Sequence, residues 1–376
     1  MSENRPDIAF YMYELHGGGA ERIIVNLMQN FVQRGLKVDL VLSRAVGPYL
    51  PQVPSEVRLI ELSAQLPFRD AVPKLARYLR KERPTVMLAT VHLNTEVALL
   101  AKALAFNSTR VFVREASHLS LEARMPIDFT GSSQKIRWAP LLAKLLYPWA
   151  DGIIAISKGV AEDLVQITGL PERRIQVIYN PAVNPDLQEK AQEPLDHPWF
   201  KAGESPVILG VGRLELQKDF STLIRAFAQV RQAYSCRLVI LGQGSEQQKL
   251  NNLVAELGIE NDVAMLGFVE NPYSYMAKAT VFALSSVWEG FGNVIVEAMA
   301  LGTPVVSTNC QSGPAEILDN GKYGWLVPVG DSKAMAEAIL SVLSGNFKSV
   351  APGWLNQFTP ETVSKQYLEV LGISEV

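Results

Sequence analysis

The segment SSVWEGFGNVIVEAMALG, residues 285–302, is the most informative part of the sequence for the structure around it. One short apolar run precedes it at residues 280–284, and another follows at 304–307. Both runs are typical of buried parallel strands, and the segment between them predicts a glycine loop and then a helix. Asn293 suits the N-cap of this helix, and Gly302 suits the position just past its end. The stretch therefore predicts a strand–loop–helix–strand unit.

Glu297 is the only polar residue between Val294 and Leu301, so this helix is expected to be buried with a carboxylate inside it. A buried carboxylate needs hydrogen-bond donors, and paired sugar hydroxyls would supply them. Gly290 and Gly292 allow a ligand close to the backbone, and the N–H groups at the helix start favour an anion. The alternative is a buried helix with a structural glutamate.

Length and composition indicate a soluble protein of two domains. The chain has 376 residues, of which 48% are apolar and 19% charged. Cys236 and Cys310 match no metal or redox spacing, which favours a reduced cytoplasm. The polar N-terminus resembles no signal peptide, and no run approaches the roughly 18 apolar residues of a membrane span. We therefore expect a cytoplasmic protein.

The net charge of −3 argues against a dedicated nucleic-acid binder. The charge is uneven, with 22 Lys+Arg against 17 Asp+Glu in residues 1–180 and 13 against 21 in the remainder. A mildly basic first half could face an anionic membrane or acceptor. An imbalance of this size also arises by chance.

The chain opens with a β-prone run at residues 8–13, the glycines of HGGG at 16–19 and an amphipathic helix. This order is typical of a Rossmann-like unit. The glycines do not form Gly-x-Gly-x-x-Gly, and no acidic residue ends the next strand, so a nicotinamide site is not predicted. The glycines could instead serve only tight packing of strand against helix.

Strand and helix patterns alternate through both halves of the chain, which predicts parallel sheets. Residues 180–206 contain five prolines and no periodicity. We therefore expect a first domain at 1–181, a linker at 182–206, a second domain at 207–357 and a C-terminal helical segment at 358–376.

The segment GRLELQKDF, residues 212–220, lies where a strand of the second domain ends and a helix begins. Ligands of such sheets bind at the carboxyl ends of the strands. Arg213 offers a planar fork for phosphate oxygens, and Lys218 offers a compact charge. Two solvated surface cations are the alternative.

Several of these motifs resemble retaining glycosyltransferases of the GT-B fold, family four. Glu289 and Glu297, separated by seven residues, are similar to the family's Glu-x7-Glu motif. GGAER at 18–22 resembles its donor-facing loop, and Gly212-Arg213 with Gln217-Lys218 resembles its diphosphate clamp. ADGIIAISKGVA at 150–161 and YNP at 179–181 resemble the end of its first domain. The likeness covers nearly the whole chain in order.

The resemblance implies an α/β fold of the GT-B type, with two Rossmann-like domains whose parallel sheets face each other across a cleft. The last helix would cross back to the first domain. The activity implied is retaining transfer of a hexose from a UDP-sugar, UDP-glucose or a related UDP-hexose, to a polysaccharide or lipid-linked glycan. A nucleotide-sugar epimerase or hydrolase of the same fold, or a non-catalytic sugar-nucleotide-binding protein, is the alternative.

The resemblance also implies roles for individual residues. Arg213 and Lys218 would stabilise the departing diphosphate, Glu289 would accept from O3 of the donor sugar, and Glu297 would accept from the ribose. The catalytic residues expected are thus Arg213, Lys218, Glu289 and His118. The other substrate-binding residues expected are Gly18, Gly19, Arg114, Gly212, Gly242, Gly267, Phe268, Gly290, Phe291, Gly292, Asn293 and Val294.

The first domain departs from the family pattern. Many members carry a His at the end of the strand that here covers residues 111–113, where this chain has Arg114. We expect His118, four residues later, to touch the donor sugar, with His92 as the second choice. Arg114 would then bind the acceptor or the diphosphate.

Two further expectations concern partners. The chain contains no Asp-x-Asp, so neither a metal nor any cofactor besides the donor co-substrate is expected. Residues 135–150 are basic, aromatic and apolar, and could rest on a membrane that carries a lipid-linked acceptor. The favoured alternative for this segment is a helix packed within the first domain and interrupted by proline.

Overall fold

The computed structural model describes residues 5–15, 18–124 and 136–374, without the side chain of Ile136. The chain divides into two compact units. The first comprises Met1–Pro181 and Gln357–Val376, and the second comprises Ala182–Asn356.

The first unit is built on a parallel sheet that has seven strands in the part of the chain described. They are β1 (Ile8–Met12), β2 (Val38–Leu42), β3 (Arg58–Glu61), β4 (Val86–Thr90), β5 (Arg110–Glu115), β6 (Gly152–Ala155) and β7 (Ile175–Val177). Their spatial order is β3-β2-β1-β4-β5-β6-β7. The helices are α1 (Gly19–Gln33), α2 (Val72–Glu82), α3 (Asn94–Ala105), α4 (Leu119–Arg124), α5 (Ala139–Leu146) and α6 (Lys158–Thr168).

The second unit repeats this plan with six described strands in the order β10-β9-β8-β11-β12-β13. They are β8 (Val207–Val211), β9 (Arg237–Leu241), β10 (Val263–Met265), β11 (Val281–Leu284), β12 (Val305–Thr308) and β13 (Trp325–Val327). The helices are α7 (Leu187–Ala191), α8 (Phe220–Ala233), α9 (Gln247–Glu256), α10 (Tyr273–Lys278), α11 (Asn293–Ala300), α12 (Pro314–Ile317) and α13 (Ser332–Leu343).

The central strands of both sheets are apolar runs because helices cover both faces. Every residue of β1, β2 and β4 is buried, as is every residue of β11. Strand–helix alternation thus produces the predicted α/β architecture with parallel sheets.

A last helix, α14 (Pro360–Leu371), belongs to the first unit although it follows the second in sequence. It packs on α1, and its apolar residues Val363, Tyr367, Leu368 and Leu371 join the core beneath β1 and β2. The first unit is therefore assembled from two distant pieces of the chain.

The segment predicted as a linker, 182–206, instead belongs to the second unit. Within it α7 packs on α10, and Leu187 and Ala191 are buried. A helix of one turn and a half gives no periodic signal, which explains why the prolines dominated the sequence pattern.

In each sheet the strand order reverses at one place, between β1 and β4 in the first and between β8 and β11 in the second. At such a point the loops that follow the two strands diverge and leave a crevice for ligands. None of the helices in the described ranges combines the length and apolarity needed to cross a membrane.

Candidate active site

The loops that follow β8 and β11 bring Lys218 and Glu289 together at the reversal point of the second sheet. Lys218 Nζ lies 2.6 Å from Glu289 Oε1, and the two side chains are only 15% and 8% exposed. Ser286 Oγ donates to the same carboxylate oxygen at 2.6 Å. Two residues predicted to act on one donor are thus joined in a semi-buried ion pair.

Hydrogen bonds to the backbone hold these two loops in a fixed position relative to each other. Val287 N donates to Gln217 O at 2.8 Å, and Gln217 Nε2 donates to Trp288 O at 3.0 Å. Ser285 Oγ donates to Lys218 O at 2.7 Å. Because the backbones on both sides are fixed, the ion pair is preorganised without a ligand.

Helix α11 starts directly after Glu289 and the glycine loop. Gly292 is the N-cap, with φ of 101°, so the prediction of Asn293 as the cap is wrong by one residue. The chain must enter the helix through a left-handed conformation, which glycine adopts at lowest cost. The start of α11 carries the positive end of the helix dipole, which favours an anion there.

Glu297 is buried inside the second unit, as the apolar pattern predicted, and is 1% exposed. The hydroxyl of Tyr273, on α10, donates to Glu297 Oε1 at 3.4 Å. Asn184 Nδ2 in turn lies 3.4 Å from the Tyr273 oxygen. A long contact of this kind is readily replaced by a closer donor.

Gly212, Gly242 and Gly267 meet through their backbones at the edge of the same sheet. Gly212 N donates to Leu241 O at 2.9 Å, and Gly242 N donates to Gly267 O at 2.7 Å. Gly242 has φ of 140°, and a Cβ there would lie 1.8 Å from Gly212 O. Phe268, next to Gly267, is 70% exposed. The predicted base-side residues therefore form one surface with an aromatic ring at its border.

Arg213 contrasts with Lys218 although only four residues separate them. Its side chain is exposed, and it has no ion pair within the described parts of the chain. Its guanidinium can therefore reorient toward a ligand.

The reversal point of the first sheet holds a cavity of about 290 Å³ between the ends of β1 and β4. Its lining combines aromatic, acidic and amide side chains with His92. It comprises Tyr11, Met12, Tyr13, Glu14, Glu21, Gln65, Leu66, Pro67, Val91, His92, Leu93, Asn94 and Val97. Gly18, the N-cap of α1, adjoins Glu21: a Cβ at Gly18 would lie 2.4 Å from the Glu21 carboxylate. Gly19 is the first residue of the helix.

The loop that carries His92 has an unusual backbone. Val91 and Leu93 have φ of 70° and 73°, a conformation that costs a β-branched or bulky residue energy. His92 Nδ1 lies 2.9 Å from Glu96 Oε1, and Leu93 N donates to Glu96 Oε2 at 2.6 Å. Glu96, on α3, therefore fixes both the ring and the strained loop.

A buried polar chain continues from Glu96 into the first unit. Thr95 Oγ1 donates to Glu96 Oε2 at 2.9 Å and lies 3.2 Å from Tyr147 Oη. The Tyr147 hydroxyl donates to Glu115 Oε2 at 2.8 Å. Burial is the main cause that raises the pKa of Glu115 to about 7. Sequence reasoning missed this carboxylate, although an Arg-Glu pair ending a buried strand was a visible signal.

His118, the predicted contact to the donor sugar, lies against α6. Its Nδ1 is 3.2 Å from Asp163 Oδ2. Burial acts to raise the pKa of Asp163, but the imidazole and the Ser120 donors outweigh it and hold the pKa below its ordinary value. His118 does not line the cavity of the first unit, whereas His92 does.

Arg114 is not placed to bind a substrate, contrary to the prediction. It is fully buried, and its nitrogens donate to the Tyr367 hydroxyl at 2.9 Å, Thr90 Oγ1 at 3.0 Å and Asn180 Oδ1 at 2.6 Å. The guanidinium instead ties β4 and β5 to Asn180 and to α14.

Sequence reasoning also missed Ser286, Tyr273 and Gly313. Ser286 lies within the opening stretch, but serine is too common to single out. Gly313 has φ of 92°, and a Cβ there would lie 1.6 Å from Phe291 O, so it allows the loop before α12 to support Phe291. Within the described residues, no group of three or more His, Cys, Asp or Glu could hold a metal ion.

Comparison with known proteins connects this geometry to a family. A model described as Glycosyltransferase Family 4 matches residues 17–183, and one described as Glycosyl transferases group 1 matches residues 192–351. The chain belongs to this glycosyltransferase family. It is a family-four glycosyltransferase of the GT-B type, with two units built on parallel sheets, as the resemblance implied.

Similar proteins support this membership over most of the chain. A Campylobacter jejuni N-acetylgalactosamine-N,N'-diacetylbacillosaminyl-diphospho-undecaprenol 4-alpha-N-acetylgalactosaminyltransferase is 33% identical, over 89% of this chain and 90% of the relative. The Rhizobium meliloti lipopolysaccharide core biosynthesis glycosyltransferase LpsE is 27% identical, over 94% and 96%. Anabaena HepE, solved in complex with UDP and glucose, superposes with a TM-score of 0.75 at 23% identity, covering 98% of this chain and 100% of HepE. HepE supports the fold.

Proposed function

We propose that this glycosyltransferase moves a hexose from a UDP-sugar to a hydroxyl of a polysaccharide or lipid-linked glycan, with retention of configuration and without a metal. UDP-glucose or a related UDP-hexose is the proposed donor. The observation that carries the proposal is the Lys218–Glu289 ion pair at 2.6 Å, at the reversal point of the second sheet.

The Lys218–Glu289 ion pair suits a nucleotide-sugar, which has a charged diphosphate at one end and a neutral sugar at the other. The ammonium group of Lys218 has three N–H donors. Glu289 accepts from one of them, and we assign the other two to the diphosphate. The start of α11 and the exposed Arg213 add charge stabilisation as the glycosyl–phosphate bond breaks. Lys218 and Ser286 both use Glu289 Oε1, so we assign Oε2 to a hydroxyl of the donor sugar.

The same pair argues for a front-face reaction. A carboxylate neutralised by an ammonium at 2.6 Å and held by a serine hydroxyl is a poor nucleophile. Glu289 and Glu297 therefore do not act as the carboxylate pair of a glycosidase. The acceptor hydroxyl would instead enter beside the leaving phosphate.

We assign Glu297 to the ribose and the edge formed by Gly242, Gly267 and Phe268 to the base. The two ribose hydroxyls would both donate to this carboxylate, one of them in place of the long Tyr273 contact. Two charges next to a helix start replace a metal as the electrostatic clamp, which supports a metal-independent enzyme.

The cavity of the first unit suits the acceptor sugar. Its aromatic rings, Glu14, Glu21 and amides match hydroxyl donors and an apolar sugar face, and among the described lining residues there is no Lys or Arg to attract phosphate. His92, held by Glu96, would contact this sugar. The diphospho-undecaprenol in the Campylobacter relative's name favours a lipid-linked acceptor, with the membrane contact expected for residues 135–150.

Thermal shift with UDP-, GDP- and ADP-sugars tests the donor. We expect UDP-hexoses to stabilise the protein most. Transfer to an undecaprenyl-diphosphate-linked glycan should then proceed in EDTA, and NMR should show the donor's anomeric configuration in the product. Equal stabilisation by all three nucleotides, or rapid stoichiometric turnover of donor without acceptor, would contradict the proposal.

A further inference from the structure

Helix α5 has two apolar faces, and among the described residues only one of them is covered. Ala139, Ala143 and Leu146 pack into the first unit, as the favoured sequence interpretation expected. Trp138, Leu141 and Leu145, spaced three and four residues apart, are 60%, 45% and 58% exposed. Packing within the unit therefore accounts for the apolar residues on only one face of α5.

The exposed stripe extends beyond the helix. Trp149, four residues after Leu145, is 50% exposed. Helix α3 contacts α5, and its C-terminal end adds Leu104 and Phe106, which are 45% and 89% exposed. We call Leu104, Phe106, Trp138, Leu141, Leu145 and Trp149 the docking surface. This number of exposed apolar residues on two contacting helices is typical of an interaction site.

The charges around the docking surface are mainly positive. Residues 136–150 contain no Asp or Glu, and Arg137 and Lys144 are exposed without an ion pair within the described ranges. Arg80 Nη2 donates to Leu104 O at 2.8 Å, and Arg174 Nη2 donates to Ala150 O at 2.7 Å, which places two more cations at the edge. Lys102 also lies there but is neutralised by Asp151.

From this arrangement we propose that the docking surface binds an anionic lipid membrane. Tryptophan rings at both ends of an apolar stripe suit the headgroup level of a bilayer, and the rim of cations suits anionic headgroups. The protein would lie on the membrane with α5 parallel to it. The purpose of this contact rests on the proposed lipid-linked acceptor, but the binding itself requires neither donor nor acceptor.

Sedimentation with vesicles tests the proposal. We expect the full chain to sediment with phosphatidylcholine vesicles that contain phosphatidylglycerol, and much less with phosphatidylcholine alone. High salt should weaken the binding because it screens the cations. The variant Trp138→Ser/Leu141→Ser/Leu145→Ser should bind about tenfold more weakly or worse.

Matched variants distinguish binding through the docking surface from non-specific hydrophobic adsorption to vesicles. Leu59→Ser/Val329→Ser/Phe347→Ser removes three exposed apolar side chains elsewhere and should bind like the unaltered protein. Arg137→Gln/Lys144→Gln should lose the preference for phosphatidylglycerol, whereas Lys201→Gln/Lys278→Gln should keep it. Circular dichroism and UDP-induced thermal shifts should show that each variant is folded.

Equal binding of Trp138→Ser/Leu141→Ser/Leu145→Ser, the stripe variant, and of its control Leu59→Ser/Val329→Ser/Phe347→Ser would overturn the proposal. So would absence of vesicle binding together with a dimer that the stripe variant converts to a monomer in light scattering, because a second copy of the chain would then cover the surface. Vesicle binding without any sugar transfer would refute the proposed function and leave the docking surface standing.

Discussion

Lys218 Nζ and Glu289 Oε1 lie 2.6 Å apart and join the loops that follow two neighbouring strands, β8 and β11. Because each residue is the other's charge partner, we expect their effects to be coupled. Lys218→Met and Glu289→Gln should each lower kcat about 100-fold or more and the free energy of unfolding by about 1–3 kcal/mol. The double variant should cost less than the sum, as a double-mutant cycle by urea denaturation would show. If the double variant loses as much stability as the two single variants together, the ion pair makes no net contribution to the free energy of folding.

Arg213 should matter for turnover and not for stability, because its side chain is exposed. We expect Arg213→Ala to lower kcat/KM about 100-fold and to change the free energy of unfolding by less than about 0.5 kcal/mol. Arg225→Ala, on the exposed side of α8, is the matched control and should change neither. Steady-state kinetics with an unchanged kcat/KM would remove Arg213 from the mechanism.

Glu297 should control nucleotide affinity. Glu297→Ala removes the carboxylate that we assign to the ribose, so calorimetry should show UDP binding about 10- to 100-fold weaker. Glu256→Ala, an exposed glutamate on α9, should bind UDP normally. Wild-type affinity of the Glu297 variant would place the ribose elsewhere.

Arg114 should be a residue of stability. Arg114→Ala would leave Thr90, Asn180 and Tyr367 without their buried donor and open a cavity. We therefore expect the free energy of unfolding to fall by about 3 kcal/mol or more. KM for the donor should stay unchanged in the protein that remains folded. Arg110→Ala, at the partly exposed start of β5, should cost less than about 1 kcal/mol. A raised KM with normal stability would restore Arg114 to the substrate site.

Glu115 should make stability depend on pH. Burial raises its folded pKa to about 7 from an ordinary 4.5, so the folded protein keeps a proton that the unfolded chain releases. The free energy of unfolding should therefore fall as pH rises from about 4.5 to about 7, by an amount on the order of 3 kcal/mol, and stay low above that range. Denaturation between pH 5 and 8 should show this slope diminished in Glu115→Gln. An identical slope in both proteins would assign it to other groups.

The sequence predicted the carboxyl edge of the second sheet because glycines, cations and carboxylates follow its strands directly. The sequence could not predict that Lys218 pairs with Glu289, because no local sequence pattern indicates that β8 and β11 are neighbouring strands. The buried position of Glu297 was predictable from the apolar residues around it. Tyr273, its partner, lies on another helix and has no pattern of its own.

Arg114 shows where local reasoning fails. A charged residue at a strand end suggests a ligand, but here the partner hydroxyl belongs to Tyr367, 253 positions later in the chain. Contacts of such separation are set by the tertiary fold alone. The same holds for His92, whose place in the cavity depends on the left-handed Val91 and Leu93, residue types that rarely adopt this conformation.

The return of Gln357–Val376 to the first unit imposes an order on synthesis. Once the ribosome has translated Ala182–Asn356, every residue of the second unit exists and that unit can fold. The first unit must then still wait for Tyr367 to reach Arg114, although most of its residues were made first. At about 5–20 residues per second, its apolar surface under α14 stays open for roughly ten seconds or more. Chaperones that bind nascent chains would therefore meet this protein at its amino-terminal half.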